Sequence, residues 1–323
     1  MKKILLPFLA LSLALLAGCS DYNELNMQEL VRNVGVDFEN GEVLVTVSCE
    51  GEEEKETTIK KARGKSFFEA VRSLSETSGK KLYWGHLQTV VFGEEALSRV
   101  LNETIDALSR ARDVYSDVLP VAAVGLRAEQ VVSENEDVLG AFSNGKNSRR
   151  FSEVPIWELA RQKELYGVAV IPTVGKINGA VAISGGAVVS DKGVAGILSG
   201  EELLLSKLIS DEGAGGYLPT VDLSQDRAVS FEILANSVKI KREGKGFSVL
   251  QKITVSPAEV KGNIKHEEMK KACEKYLADG YESLMARAKA EKLGNILKFY
   301  KTDENTQIEI RTEVTVSNVF GGE

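Results

Sequence analysis

Residues 247–255 read Phe-Ser-Val-Leu-Gln-Lys-Ile-Thr-Val, which places Phe247, Val249, Gln251, Ile253 and Val255 on one side of an extended chain. Upstream, Glu243-Gly244-Lys245-Gly246 reads as a turn, and Val229, Phe231 and Ile233 before it alternate as a first strand. Downstream, Met269, Cys273, Tyr276, Leu277, Gly280, Leu284 and Ala288 form an apolar stripe at helical spacing. Ile308, Ile310, Val314 and Val316 then alternate with Glu309, Arg311, Glu313 and Thr315, the pattern of a half-exposed strand. Strands followed by a long helix and another strand predict a C-terminal antiparallel sheet with the long helix packed on one face. The fold class is therefore α+β, in a multi-domain mixed α/β arrangement.

The rest of the chain extends this reading. Val43, Val45, Val47 and Cys49 alternate as a strand, and the charged run Glu50 to Lys61 supplies a turn and the start of a partner strand. Phe67, Phe68, Val71 and Leu74 repeat at helical spacing behind Ser66, an N-cap residue type. Leu87 to Phe92 is a buried strand closed by Gly93, and Ala96, Leu97, Val100, Leu101, Ile105 and Leu108 follow as a helix. Val118 to Val124 is a further buried strand, and Arg127 to Leu139 a short helix. Ala141 to Glu153, rich in Asn, Ser, Gly and Arg, reads as a long loop. Asp191-Lys192-Gly193 divides two apolar runs as a hairpin turn, Gly200 to Ile209 is helical, and Gly213 to Gly216 is a break. The expected division is a leader over 1–18, an N-terminal α/β region over 19–180 and a C-terminal domain over 181–323.

The leader is read from its chemistry. Lys2 and Lys3 precede Ile4 to Leu16, an apolar run interrupted only by Pro7 and Ser12. Its length, about 13 residues, suits a signal h-region and is too short to span a bilayer. Leu16-Ala17-Gly18-Cys19 then has the form of a lipobox. Cys19 is the expected lipidation site, carrying a diacylglyceryl group on sulfur and an acyl group on its new amino terminus. Each buried CH₂ contributes roughly 0.8 kcal/mol, and two chains hold a protein on a membrane where one does not.

Composition narrows the function. Net charge is −7 and the isoelectric point about 5.3. An acidic surface repels phosphates, which argues against nucleic acid as a partner and against an electrostatic grip on anionic lipid. Besides Cys19 there are Cys49 and Cys273, and no CxxC or Cys/His cluster points to zinc. Pairing of Cys49 with Cys273 and two buried thiols are both open.

No catalytic, cofactor-binding or metal residue is assigned. His86 lies in Tyr83-Trp84-Gly85-His86-Leu87 with no nucleophile or carboxylate nearby in sequence, and His266 opens the long helix. There is no Gly-x-Ser-x-Gly elbow, and Gly213 to Gly216 lacks the Gly-Lys-Ser/Thr sequel of a phosphate loop. Glu52-Glu53-Glu54 lacks calcium-loop spacing. Trp84 and Trp157 read as packed side chains rather than the walls of a ligand pocket. The chain is expected not to be an enzyme.

Three segments taken together resemble one family. The first is Gly18 to Asn26, with the Glu24-Leu25 pair, followed by Val34-Gly35-Val36-Asp37. The second is Gly85-His86-Leu87 with its hydrophobic strand and Gly93-Glu94. The third is Gly185 to Leu198, a hairpin around Asp191-Lys192-Gly193, followed by Glu201-Glu202 on a helix. In this order they resemble the Ger(x)C family, the lipoprotein C subunits of the GerA-type germinant receptors of endospore-forming bacteria. Ser20 stands where the family usually has Trp. The resemblance implies a non-enzymatic scaffold anchored through Cys19 on the outer face of the spore inner membrane. Its implied partners are two integral-membrane receptor subunits, of A and B type, and the implied role is nutrient-triggered germination. The resemblance implies no ligand pocket on this chain. Contact surfaces would then be the functional sites, with the Asn144 to Phe151 loop and exposed apolar or aromatic patches as candidates. Two other classes compete: a lipoprotein solute-binding protein of a transporter, expected as two hinged α/β lobes, and a surface hydrolase.

Overall fold

Strand β5 (Thr89–Phe92) is buried along its whole length, as its mostly apolar run requires of a strand covered on both faces. It lies at the centre of the larger of two sheets. A computed structural model describes residues 27–51, 57–134, 138–140, 142, 153–210, 215–244, 246–298 and 306–317. Cys19 and the Asn144 to Phe151 loop lie outside these residues.

The first sheet has the order β3-β2-β1-β5-β6-β7-β8-β9. Its strands are β1 (Gln28–Glu39), β2 (Glu42–Glu50), β3 (Thr57–Gly64), β5, β6 (Leu119–Ala123), β7 (Ala169–Ile177), β8 (Ala180–Ser190) and β9 (Gly193–Ser199), with β4 (Lys81–Tyr83) beside the start of β1. The centre, β1-β5-β6-β7, is parallel, and each flank is an antiparallel meander. Parallel neighbours need crossovers. Helices α2 (Glu94–Arg99) and α3 (Leu101–Arg110) connect β5 to β6, and α4 (Ala128–Glu134) and α5 (Ile156–Tyr166) lie between β6 and β7. The single helix expected over Ala96 to Leu108 is thus two, broken at Val100, whose backbone (φ −136°, ψ 7°) leaves the helical region. Helix α1 (Phe67–Thr77) starts where Ser66 Oγ accepts from Glu69 N at 3.2 Å.

Alternation along the strands divides the interior in two. Val90, Phe92, Ala122 and Ile171 face one core with α1, α2, α3 and α5. Val91, Val121, Ala123 and Val170 face the other, which takes in α4, α6 (Gly200–Ser210) and the second sheet. Cys49 is buried in the first core and Cys273 in the second, and no disulfide joins them.

The second sheet has the order β10-β11-β12-β13: β10 (Tyr217–Ser224), β11 (Arg227–Glu243), β12 (Gly246–Lys261) and β13 (Ile308–Val316). Helix α7 (His266–Ala290) covers one face through Cys273, Leu277, Tyr281 and Leu284. The expected sheet with a long helix on one face is present, antiparallel through β10, β11 and β12. Its last strand joins β12 in parallel, because α7 carries the chain back along the sheet before β13 begins. The expected division at 180/181 falls within the β7–β8 hairpin, and the first sheet continues to Ser199.

Candidate functional site

Parts of two motif segments meet in the fold. Asp37, at the carboxyl end of β1, is buried. Its Oδ1 accepts from Ala128 N and its Oδ2 from Glu129 N, both at 2.9 Å, so it satisfies the first amides of α4 from a distant part of the chain. Gly35, two residues back, faces the same helix start, where an added Cβ would sit 3.0 Å from the Ala128 carbonyl carbon. At the end of β5, a Cβ on Gly93 would collide with Asp37 Oδ1. The adjacent Glu94 Oε1 accepts from Gly125 N at 2.7 Å. Val34-Gly35-Val36-Asp37 and Gly93-Glu94 are therefore two halves of one lock that seats α4 on the sheet.

Charged groups surround this lock. Arg127 Nη2 lies 2.7 Å from Glu39 and 2.8 Å from Glu129, Lys61 Nζ reaches Glu129 at 2.5 Å, and Arg63 Nη2 reaches Glu39 at 2.9 Å. Burial pushes the Asp37 carboxyl above the usual range against the pull of its two amide donors. The Lys61 hydrogen bond holds Glu129 below it. A shallow cleft of about 200 Å³ opens between Asp37, Glu94, Gly125 and Arg127. It lies at the carboxyl ends of parallel strands, where α/β sheets commonly bind ligands. Its lining carries no Ser, Cys or His, and Asp37 and Glu94 both accept backbone N–H groups. The arrangement holds backbone in place.

A second set of contacts ties the two sheets together. Arg287 on α7 donates from Nη1 to both Glu202 oxygens at 2.6 Å, from Nη2 to the Ile197 carbonyl at 2.9 Å and from Nε to Glu291 at 3.0 Å. Burial opposes the charge on Glu202, yet the Arg287 and Ser199 hydrogen bonds outweigh it and its carboxyl lies below the ordinary range. Beneath, Tyr281 Oη donates to Gln251 Oε1 at 2.9 Å, Gln251 Nε2 to Asn236 at 2.8 Å, and Asn236 Nδ2 to the Leu208 carbonyl at 2.8 Å. Gln251, an apolar-face position in sequence, is thus the hub of a buried polar chain. A larger cavity of about 610 Å³ lies between Tyr166, Leu284, Met285, Ile296 and Ile308. Its walls are part apolar.

The sequence candidates fall as follows. His86 is exposed at the end of the sheet opposite the lock, 5.9 Å from the Tyr83 ring centroid. His266 is exposed at the first turn of α7. Trp84 packs partly against the first core, whereas Trp157, read from sequence as packed, is 54% exposed. The reason is local: Ile156 and Leu159 take the buried face of α5 and turn Trp157 outward. Tyr115 is 64% exposed beside it in the fold, since Trp157 N donates to the Ser116 carbonyl at 3.3 Å. The asparagine-rich loop and Cys19, both named from sequence, lie outside the described residues. Among the described residues no group of three or more His, Cys, Asp or Glu is placed to hold a metal ion. Among them also, no helix is long and apolar enough to cross a membrane.

Comparison with known proteins agrees with this architecture. A family model described as the spore germination protein N-terminal domain matches residues 21–176. The crystal structure of the GerBC protein is similar, with a TM-score of 0.58 and 15% identity, over 88% of this chain and 97% of that one. No curated protein matches the chain. The matched span includes both halves of the Asp37 lock. Residues 21–176 match the N-terminal domain of spore germination proteins, which supports a Ger(x)C family protein.

Proposed function

We propose that this chain is the lipid-anchored C-type subunit of a nutrient germinant receptor and acts in spore germination as a non-enzymatic scaffold. The observation that carries this reading is the family match, which begins at residue 21, directly behind the Leu16-Ala17-Gly18-Cys19 lipobox. The likeness to the GerBC protein supports the fold over nearly the whole chain. Diacylglycerol on Cys19 would hold the protein on the outer face of the spore inner membrane. Two integral-membrane subunits, of A and B type, would be its partners. The division of labour has a physical logic: confinement to a thin layer raises the effective concentration of the scaffold near membrane partners without any new contact. A domain boundary at 180/181, shortly after residue 176 where the family match ends, belongs to the same proposal.

A hinged solute-binding protein needs two lobes with separate cores. Here one core takes in the back of the first sheet, α4, α6 and the second sheet, which favours a rigid scaffold. The test is Cys19→Ala in spores. The expected outcome is loss of the chain from the inner-membrane fraction together with loss of the nutrient response. A variant that stays in the membrane, or that leaves it while germination proceeds normally, contradicts the proposal.

A further inference from the structure

The start of β1 fixes which part of the protein lies nearest its anchor. Met27, the first described residue, is 58% exposed. The chain from Cys19 to Met27 spans at most about 28 Å even when fully extended. A folded chain of this size is roughly 50 Å across. The tether is therefore shorter than the body, and the end of the molecule that carries Met27 is the end that the membrane meets.

The parallel registers place other residues at that end. Asn33 pairs with Thr89 and Thr89 with Leu119, so the segments that precede β5 and β6 emerge on the same side as Met27. β4 lines this side as well, Lys81 pairing with Gln28. Tyr115 stands in the segment entering β6. The start of α5 is fixed to that segment by two backbone hydrogen bonds, from Ile156 to Val118 and from Trp157 to Ser116. Tyr115 and Trp157 are the most exposed of the large aromatic and aliphatic side chains, apart from Phe68 and Met27 itself. Lys81, Arg112, Asp113 and Asp117 are also exposed there, with both signs of charge represented.

Exposed Trp and Tyr on a rigid backbone suit the headgroup layer of a bilayer, where the ring body meets acyl chains and its polar edge meets water. Mixed charge around them suits zwitterionic headgroups and does not demand anionic lipid. We propose that the amino ends of β1, β5 and β6, through Met27, Tyr115 and Trp157, form a membrane-contact surface that rests in the phospholipid headgroup layer. The bilayer is the occupant, and the proposal rests on lipidation of Cys19.

The chain has two tryptophans, so each can be observed alone. The lipidated full chain, as Trp84→Phe and separately as Trp157→Phe, is reconstituted on phosphatidylcholine vesicles with and without brominated acyl chains. Both variants are first checked for unchanged circular dichroism. In the Trp84→Phe protein, emission of Trp157 is expected to shift to the blue on vesicles and to lose intensity with brominated lipid. In the Trp157→Phe protein, emission of Trp84 is expected to change much less. Co-sedimentation with vesicles without quenching of Trp157 overturns the contact surface while leaving the anchor intact. Failure of the native chain to co-sediment overturns the anchor, and the contact surface with it.

Discussion

At the carboxyl ends of β1, β5 and β6, Asp37, Glu39, Glu94, Arg127 and Glu129 each have a partner, and their carboxylates and guanidinium hold α4 and its loop in place. At the amino ends of the same strands, Tyr115 and Trp157 stand exposed, the Trp157 backbone held by its bond to the Ser116 carbonyl. The contrast separates two uses of sequence. Polar residues at one end complete the fold, whereas the rings of Tyr115 and Trp157 at the other are left largely unburied by it. An end locked by its own hydrogen bonds has little left to offer a partner, whereas exposed rigid aromatics are typical of surfaces that bind.

The largest effect is expected at the lock. Asp37→Ala removes an acceptor for two amides at the buried start of α4, which should lower stability by about 2–3 kcal/mol in urea unfolding. Asp37→Asn keeps part of the acceptor and should lose about half as much. An Asp37→Ala protein as stable as the parent would remove the lock from the account. Gly93→Ala, which drives a methyl group into the same carboxylate, should lower stability by about 1–3 kcal/mol.

Acid titration sharpens the comparison. Burial raises the Asp37 carboxyl above 3.8, so its contribution is full below that value and falls as pH rises through the raised folded pKa. Glu129 and Glu202 are lowered from 4.5, so theirs is full above 4.5 and falls as pH drops through the lowered folded values. Asp37 thus offsets part of the acid loss. Stability of Asp37→Asn measured across this acid range should fall more steeply on acidification than the parent's, and parallel curves would contradict the assignment.

A smaller loss is expected between the sheets. Arg287→Met removes two partly exposed ion pairs, to Glu202 and Glu291, and one carbonyl contact, for about 1–2 kcal/mol by chemical unfolding. Least of all, Tyr115→Ser and Trp157→Ser should each change stability by no more than about 0.5 kcal/mol. A loss several times larger would make that end part of the core and remove the contrast.

Much of the fold was readable because its signals are local. β5 is a short, mostly apolar run, the α7 stripe repeats at helical spacing along a 25-residue helix, and Ser66 marks the start of α1. What was missed depends on distance or on weak patterning. α5 leaves a faint signal in the sequence because only Ile156, Leu159 and Gln162 are buried on it. β10 carries Pro219 and is mostly half-exposed, so its alternation is faint. The direction of β13 cannot be read from alternation, which is the same for parallel and antiparallel neighbours. The Asp37 lock was visible only as the motif Val34-Gly35-Val36-Asp37. Its partner amide is 91 residues away, and no period links the two. Trp157 is exposed against expectation because a tryptophan's usual burial says nothing about which face of a short helix it occupies.

The receptor-subunit reading is tested most directly by isolating the chain, tagged at its C terminus, from detergent-solubilised spore inner membranes and measuring by mass spectrometry both its N-terminal peptide and what accompanies it. The account predicts an N terminus at a lipid-modified Cys19 and two polytopic membrane proteins in constant proportion to the chain. Recovery from the aqueous fraction with an unmodified N terminus and no membrane protein in fixed ratio would contradict it.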